Sequence, residues 1–391
     1  MKKKFLTGVA IIVTVILLAF AVLFIIDTIR MSNNQEVIFS TWGRDYKVSK
    51  SGENITENQT TTGKAEDDEN SNINFALTMD DNIKDNTAWC GTFQLIWNDL
   101  KNDLVKQDIM FINDPNLSVV RNLNKGDFTT EDLSESSYYK VYGHPSLELK
   151  QQIEDAIKEK FNETSDILDD FDWGGAGPND YFLYCMLKKD FEFPIAFTKL
   201  NNGTFANKYN DVEYFGLEKN SEEQIRDQVR VLYYESDDKF AVRLNTKQND
   251  ELILARGIEG RTFNEIYNNI NENAEEYTGE TTFTELDSLK IPNISFDEKQ
   301  EYKELEGKPF FFSDGREYYI DKALQTIKFE LDNEGGSIKS EAGMMTKESV
   351  AILPEEERNF HFDDEFTIFL KEKDKDKPYF SALITDITEF Q

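Results

Sequence analysis

Few side chains in this sequence could carry out nucleophilic or metal chemistry. The 391 residues include two cysteines, Cys90 and Cys185, and two histidines, His144 and His361. Cys90 could act as a nucleophile only with one of these histidines as its base. Aromatic residues surround it in the sequence, which favours a buried, inert thiol. The sequence therefore predicts no enzymatic activity.

The cysteines are also too few for a disulfide framework, and their spacing is not that of a metal site. Two buried free thiols are the favoured interpretation. A single Cys90–Cys185 bridge in an oxidising compartment is the alternative. No cofactor and no metal are predicted.

A second pattern lies between Gly335 and Met345, where small or apolar residues alternate with polar ones. In an extended strand, alternate residues face opposite sides. One side of this segment is free of charge, and the other carries Lys339 and Glu341. The uncharged side consists of Gly336, Ile338, Ser340, Ala342 and Met344. The segment can therefore line a core as a strand in only one phase, although an ordinary strand followed by a loop fits the same pattern.

Charge limits the classes of partner. The chain carries 75 acidic and 43 basic residues, which gives a formal charge of −32. Such a chain repels nucleic acid, so a nucleic-acid partner is excluded. With 39% hydrophobic and 13% aromatic residues, it can nevertheless bury a core.

The amino terminus predicts a membrane anchor. Residues 5–26 are uncharged and follow three lysines, Lys2 to Lys4. A run of about 20 apolar residues can span a bilayer, and the lysines place residues 1–4 in the cytoplasm. The remainder is then extracytoplasmic, in a single-pass cell-membrane protein. A cleaved signal peptide is the alternative, and it exports the domain equally.

Residues 27–72 form a predicted polar linker, and residues 73–391 form the extracytoplasmic domain. We expect a helix that begins at Asn86 and a second one that Pro145 opens. From Tyr181 onward, short apolar runs separated by turn residues predict strands, with one helix around Phe263 to Ile270. Helices in the amino-terminal half followed by strands predict an α+β domain with large, mostly antiparallel sheets.

The carboxyl-terminal third resembles the serpin family. Residues 325–335, QTIKFELDNEG, resemble the central-sheet strand that leads into the serpin reactive loop. Residues 360–371, FHFDDEFTIFLK, resemble the signature strand after that loop, and residues 379–384, YFSALI, resemble the last strand. Weaker matches include Val229–Tyr234 with Phe240–Leu244. The resemblance implies a serpin-like fold over residues 73–391.

The sequence also departs from the family pattern. The family's asparagine in the strand before the mid-chain gate falls on Cys185, its tryptophan on Phe193, and its histidine before the reactive loop on Gln325. The polar network that controls sheet opening in serpins is therefore absent or rebuilt in this chain.

The resemblance implies a protease inhibitor that acts through an exposed reactive loop near residues 336–353. In such inhibitors, a protease cuts the loop, and the first half of the loop then inserts into the sheet as a new strand. The implied partner is a serine or cysteine protease. The implied hinge residues are Gly335, Gly336, Ile338, Ser340 and Ala342. The candidate scissile region comprises Lys347, Glu348 and Ser349.

A non-inhibitory module on the cell surface is the alternative function. Such a module shares the fold and the anchor, binds a protein or wall partner, and never inserts its loop. The connector from Trp173 to Pro178 is a candidate lining of its binding site.

Overall fold

The computed structural model describes residues 72–336 and 357–391. The predicted membrane span, most of the linker, and the segment 337–356 lie outside the described residues. None of the helices in the described ranges combines the length and the apolar character needed to cross a bilayer.

The described α-helices include three that precede residue 162 and two that lie later in the chain. They are α1 Thr92–Asp99, α2 Ser118–Lys125, α3 Leu147–Phe161, α4 Glu223–Arg226 and α5 Phe263–Glu276. A π-helical turn, Leu100–Val105, continues α1. The Ser146 hydroxyl caps α3 and the Thr262 hydroxyl caps α5, each by accepting a hydrogen bond from a backbone N–H of the first turn.

Strands make up most of the described regular structure. The first twelve are β1 Asn74–Phe75, β2 Thr87–Cys90, β3 Tyr138–Gly143, β4 Phe182–Leu187, β5 Phe191–Glu192, β6 Thr198–Lys199, β7 Gly203–Phe205, β8 Tyr209–Val212, β9 Tyr214–Leu217, β10 Val229–Ser236, β11 Lys239–Asn245 and β12 Asp250–Arg256. The remainder are β13 Ser288–Pro292, β14 Ile294–Glu301, β15 Pro309–Phe311, β16 Glu317–Tyr319, β17 Leu324–Leu331, β18 Gly335–Gly336, β19 Asn359–His361, β20 Phe366–Glu372 and β21 Pro378–Ile384.

Two sheets hold most of the core. The larger has the order β1-β2-β21-β20-β12-β11-β10, and the smaller has the order β19-β13-β9-β6. Most neighbours are antiparallel, whereas β1–β2 and β13–β19 are parallel. Strands β20 and β21 are buried on both faces, as their nearly continuous apolar sequences predict. The chain folds as predicted into an α+β structure with several sheets.

One predicted element is wrong. Thr87–Cys90 form strand β2 and not the first turn of a helix, and α1 begins only at Thr92. The strand pairs with β21 near the end of the chain, and this distant pairing outweighs the local helical pattern. Asn86 does not cap a helix. Its side chain donates a hydrogen bond to the Asp386 carbonyl and accepts one from the Thr385 N–H.

Candidate functional site

A cleft opens between strands β4 and β17. Within the described residues, β4 pairs only with β3, and β17 pairs only with β14. Each strand therefore has one unpaired edge, and both strands line the same cavity of about 1000 Å³. Phe93 and Trp97 of α1 contribute to its lining, as does Tyr379 of β21. Unpaired edges of this kind are templates for a further strand.

One end of the cleft is already closed by backbone pairing. After β17, the chain reverses in a turn in which the Asp332 N–H donates to the Gly335 carbonyl over 2.8 Å. Strand β18 then pairs antiparallel with β5, with Gly335 opposite Glu192 and Gly336 opposite Phe191. The chain that leaves β17 therefore turns back beside the continuation of β4.

The two glycines of β18 fit a space that larger residues cannot enter. Gly335 has φ +148, which residues with side chains rarely adopt. A methyl group at Gly336 would lie 2.5 Å from both the Glu330 carbonyl oxygen and the Phe191 ring. Gly336 thus lies between β17 and β5, at the end of the cleft.

The walls of the cleft have distinct inner and outer faces. On β17, Ile327 and Phe329 belong to the main core, whereas Lys328 between them is exposed. On β4, Cys185 packs against the main core, whereas Tyr184 belongs to a smaller cluster with residues of α3. Any strand that fills the cleft must therefore present alternate residues to the core and to the outside.

Gln325 connects β17 to the floor of the cleft at mid-height. Its amide donates hydrogen bonds to the Thr92 hydroxyl over 2.8 Å and to the Cys90 carbonyl over 3.2 Å. Its carbonyl oxygen accepts a hydrogen bond from the buried Tyr302 hydroxyl over 2.6 Å. These three hydrogen bonds join β17 to β2, to the start of α1 and to Tyr302.

A buried ionic cluster lies beside the cleft near its closed end. Lys189 pairs with Asp250 of β12 and, over 2.7 Å, with Glu372 of β20. Burial raises the pKa of Asp250 more than its hydrogen bonds lower it. Burial also acts to raise the pKa of Glu372, but hydrogen bonds from Lys189 and Ser134 outweigh it and leave that pKa lowered. The cluster holds the end of β4 against the larger sheet.

A buried ion pair fixes the chain near the start of the second described range, residues 357–391. Arg358 is buried and forms an ion pair of 2.7 Å with Asp287, whose side chain is fully buried. Its guanidinium also donates hydrogen bonds to the carbonyls of Glu280 and Thr282. Burial acts to lower the pKa of Arg358, but Asp287 outweighs it and raises that pKa. Its partner lies 71 residues away in the chain, so no local pattern in the sequence marks Arg358 as a buried residue.

The predicted site residues fall into two groups. Gly335 and Gly336 lie beside β5, as described above. The other candidates lie outside the described residues, and they are Ile338, Ser340, Ala342, Lys347, Glu348 and Ser349. The described chain resumes at Glu357, which pairs with Lys219 over 2.6 Å.

The residues weighed for thiol chemistry are not brought together as a catalytic set. Cys90 lines the cleft, and burial raises its pKa, which disfavours the thiolate. His361 lies 2.9 Å from the Ser288 hydroxyl in the β13–β19 pairing, and His144 is exposed. Trp173 of the glycine-rich connector does line the cleft.

Comparisons with known proteins give structural matches only. No family model and no curated protein matches the sequence. The thermophilic serpin Tengpin in its native state is similar with a TM-score of 0.44 and 13% identity, over 79% of this chain and 90% of that one. A serpin from Schistosoma mansoni gives 0.37 and 14%, over 60% and 63%. Thyroxine-binding globulin in complex with thyroxine gives 0.38 and 11%, over 61% and 64%.

This chain thus spans less than two thirds of the length of the last two proteins. The described structure resembles the serpins, the same family that the carboxyl-terminal motifs resemble.

Proposed function

We propose that the protein is an extracytoplasmic protease inhibitor, in which the segment 337–356 enters the cleft between β4 and β17 after cleavage. The observation that carries this proposal is the position of Gly336. It already pairs with Phe191 of β5 and lies against Glu330 of β17, at the closed end of the cleft. The following residues need only continue this direction to fill the space.

The strand register, extended along each of the two walls, gives the same orientation for the inserted residues. Continuing the β5–β18 register without a break places Ser340 opposite Leu187 and Ala342 opposite Cys185. Counting from the Asp332–Gly335 turn places the same two residues beside Ile327 and Gln325 of β17. All four of these wall residues lie on the core side of their strands. On insertion, the uncharged side of the alternating pattern would therefore face the core along both walls.

The length of the segment also suits the cleft. Extended to Met345, this register would bring that residue opposite Phe182, the first residue of β4. Lys347 then follows directly beyond the far end of the wall. Cleavage after Lys347 by a trypsin-like protease would release enough chain to fill the cleft completely. The distal end stays fixed by Arg358, so cleavage is the step that frees the segment.

An inhibitor that inserts its cleaved segment in this way remains covalently bound to the protease. Incubating the purified domain with trypsin should give a band of high mass on a denaturing gel. Ala342→Glu should abolish that band, because insertion would bury an unpaired carboxylate at a cost of several kcal/mol. Lys339→Glu is the matched control, since it introduces the same carboxylate on the outward face and should keep the band. Loss of the band in both variants, or its absence from the wild type, contradicts the proposal.

The membrane location is part of the same proposal and rests on the sequence of residues 1–26. Protease added to intact cells should digest the domain at residues 73–391. Protection of the whole chain contradicts an extracytoplasmic location, while leaving the cleft mechanism untouched.

A non-inhibitory surface module is the second candidate, and one observation favours it. Phe311 and Tyr319 are exposed on the β15–β16 hairpin, and Ile112 is exposed where its N–H donates to Pro309 of the same hairpin. Clustered exposed apolar side chains are typical of interaction surfaces. This candidate predicts cleavage by trypsin without a covalent complex.

A further inference from the structure

Both cysteines of the chain line the cleft. Cys90 is the last residue of β2 and pairs with Phe380 of β21, so it belongs to the larger sheet beneath the cleft. Cys185 lies on β4 and pairs with Lys140 of β3. Both are free thiols, one on the larger sheet and the other on the β3–β4 pair.

Cys90 lies beside Gln325 of β17, whose amide donates a hydrogen bond to the Cys90 carbonyl. Extending the β5–β18 pairing and the Asp332–Gly335 turn along both walls would bring Cys185 level with Gln325, across the width of one strand. Helix α1, which begins two residues after Cys90, packs against β4. Cys185 faces the core and therefore points toward this floor.

We propose that Cys90 and Cys185 form a redox site, in which a disulfide oxidant links β4 to the floor of the cleft. The thiolate of one cysteine attacks a sulfur of a low-molecular-weight disulfide such as oxidised glutathione, and one glutathione thiol leaves. The second cysteine then attacks the mixed disulfide, and the other glutathione thiol leaves. The two cysteines lose two protons and two electrons, and the oxidant gains them.

The surroundings of the thiols set the rate of this reaction. Burial raises the pKa of Cys185, and the nearby Cys90 thiol raises it further. Because the thiolate is the attacking species, oxidation of the folded protein is slow at neutral pH and faster as the pH rises.

The bridge has a mechanical consequence. It ties β4 to β2 and closes a long loop of the unfolded chain, which stabilises the folded state. It also fixes the position of the β4 wall relative to the floor. The proposal depends on the cleft geometry and holds whether or not the segment 337–356 inserts.

The test uses the uncleaved, reduced domain, so its outcome is independent of protease trapping. The domain is incubated with oxidised glutathione, or with diamide as a second oxidant, at pH 7 and pH 8.5. It is then digested without reduction and analysed by mass spectrometry. The expected product is a single linked peptide pair that contains Cys90 and Cys185, formed faster at pH 8.5. The melting temperature rises with its formation and returns on reduction.

Cys90→Ser and Cys185→Ser are the matched controls, and neither should show the rise in melting temperature. Mixed disulfides without the linked pair, dimers linked between chains, or a linked pair that forms only in urea would overturn the proposal. So would the absence of any linked pair with both oxidants in the folded protein.

Discussion

Replacing Gly335 with alanine should destabilise the folded protein more than the same replacement at Gly307. Both glycines have positive φ, at +148 and +65, so both variants force alanine into a conformation that it disfavours. They differ in their surroundings. An added methyl group at Gly335 would lie 2.2 Å from the Phe191 carbonyl oxygen, whereas at Gly307 nothing lies within 4 Å.

The expected magnitudes follow from these contacts. Gly307→Ala carries only the conformational cost, about 1 kcal/mol. Gly335→Ala carries a cost of about 1–3 kcal/mol for its φ, because that region is nearly exclusive to glycine. The clash also displaces β18 from β5, and each hydrogen bond lost there costs roughly 1 kcal/mol. With one or two such hydrogen bonds lost, the total is about 2–5 kcal/mol.

Urea unfolding at 25 °C, followed by tryptophan fluorescence, measures both free energies of unfolding. The difference between the two variants isolates the close approach of Gly335 to β5. If Gly335→Ala costs no more than Gly307→Ala, the chain after β17 does not run against β5, and the reasoning about the cleft fails.

Three further predictions concern buried polar groups. Arg358→Met should lower the free energy of unfolding in urea by about 3–5 kcal/mol, because it leaves Asp287 charged and buried. The double variant with Asp287→Leu should recover most of this loss, and a single-variant cost below about 1 kcal/mol contradicts the ion pair. Gln325→Leu should cost about 1–3 kcal/mol by leaving the Tyr302 hydroxyl unpaired, and adding Tyr302→Phe should reduce that cost, whereas simple additivity argues against the bond. Burial lowers the pKa of His361 below its ordinary 6.5, so the folded state binds fewer protons than the unfolded state, and the free energy of unfolding should fall as the pH drops below about 6.5. His361→Gln should lessen this dependence of stability on pH, and an unchanged dependence refutes the assignment.

Local patterns were sufficient where neighbours in the sequence are also neighbours in the fold. Residues 229–244 alternate in polarity around Ser236, Asp237 and Asp238, a pattern that predicts two strands joined by a turn, and β10 and β11 are joined by a turn there. The run Phe366–Leu370 has Thr367 as its one polar residue, and this pattern predicts the internal strand that the structure shows there. In both cases, the periodicity and the turn residues carry the information.

Local patterns failed where the deciding partner is distant. Thr87–Cys90 form a strand because β21 pairs with them from the other end of the chain. Arg358 is buried because Asp287 neutralises it. The cleft itself arises because neither β4 nor β17 has a second partner within the described residues, and the absence of a partner leaves no mark in a local sequence.

The central claim is that residues after Gly336 fill the cleft once the segment is cut. The most direct measurement is the melting temperature of the domain before and after a single cleavage within residues 337–356. Insertion would add backbone hydrogen bonds along both unpaired edges, at roughly 1 kcal/mol each, so the melting temperature should rise by about 10 °C or more. An unchanged or lower melting temperature after complete cleavage would contradict insertion and leave the non-inhibitory surface module as the function.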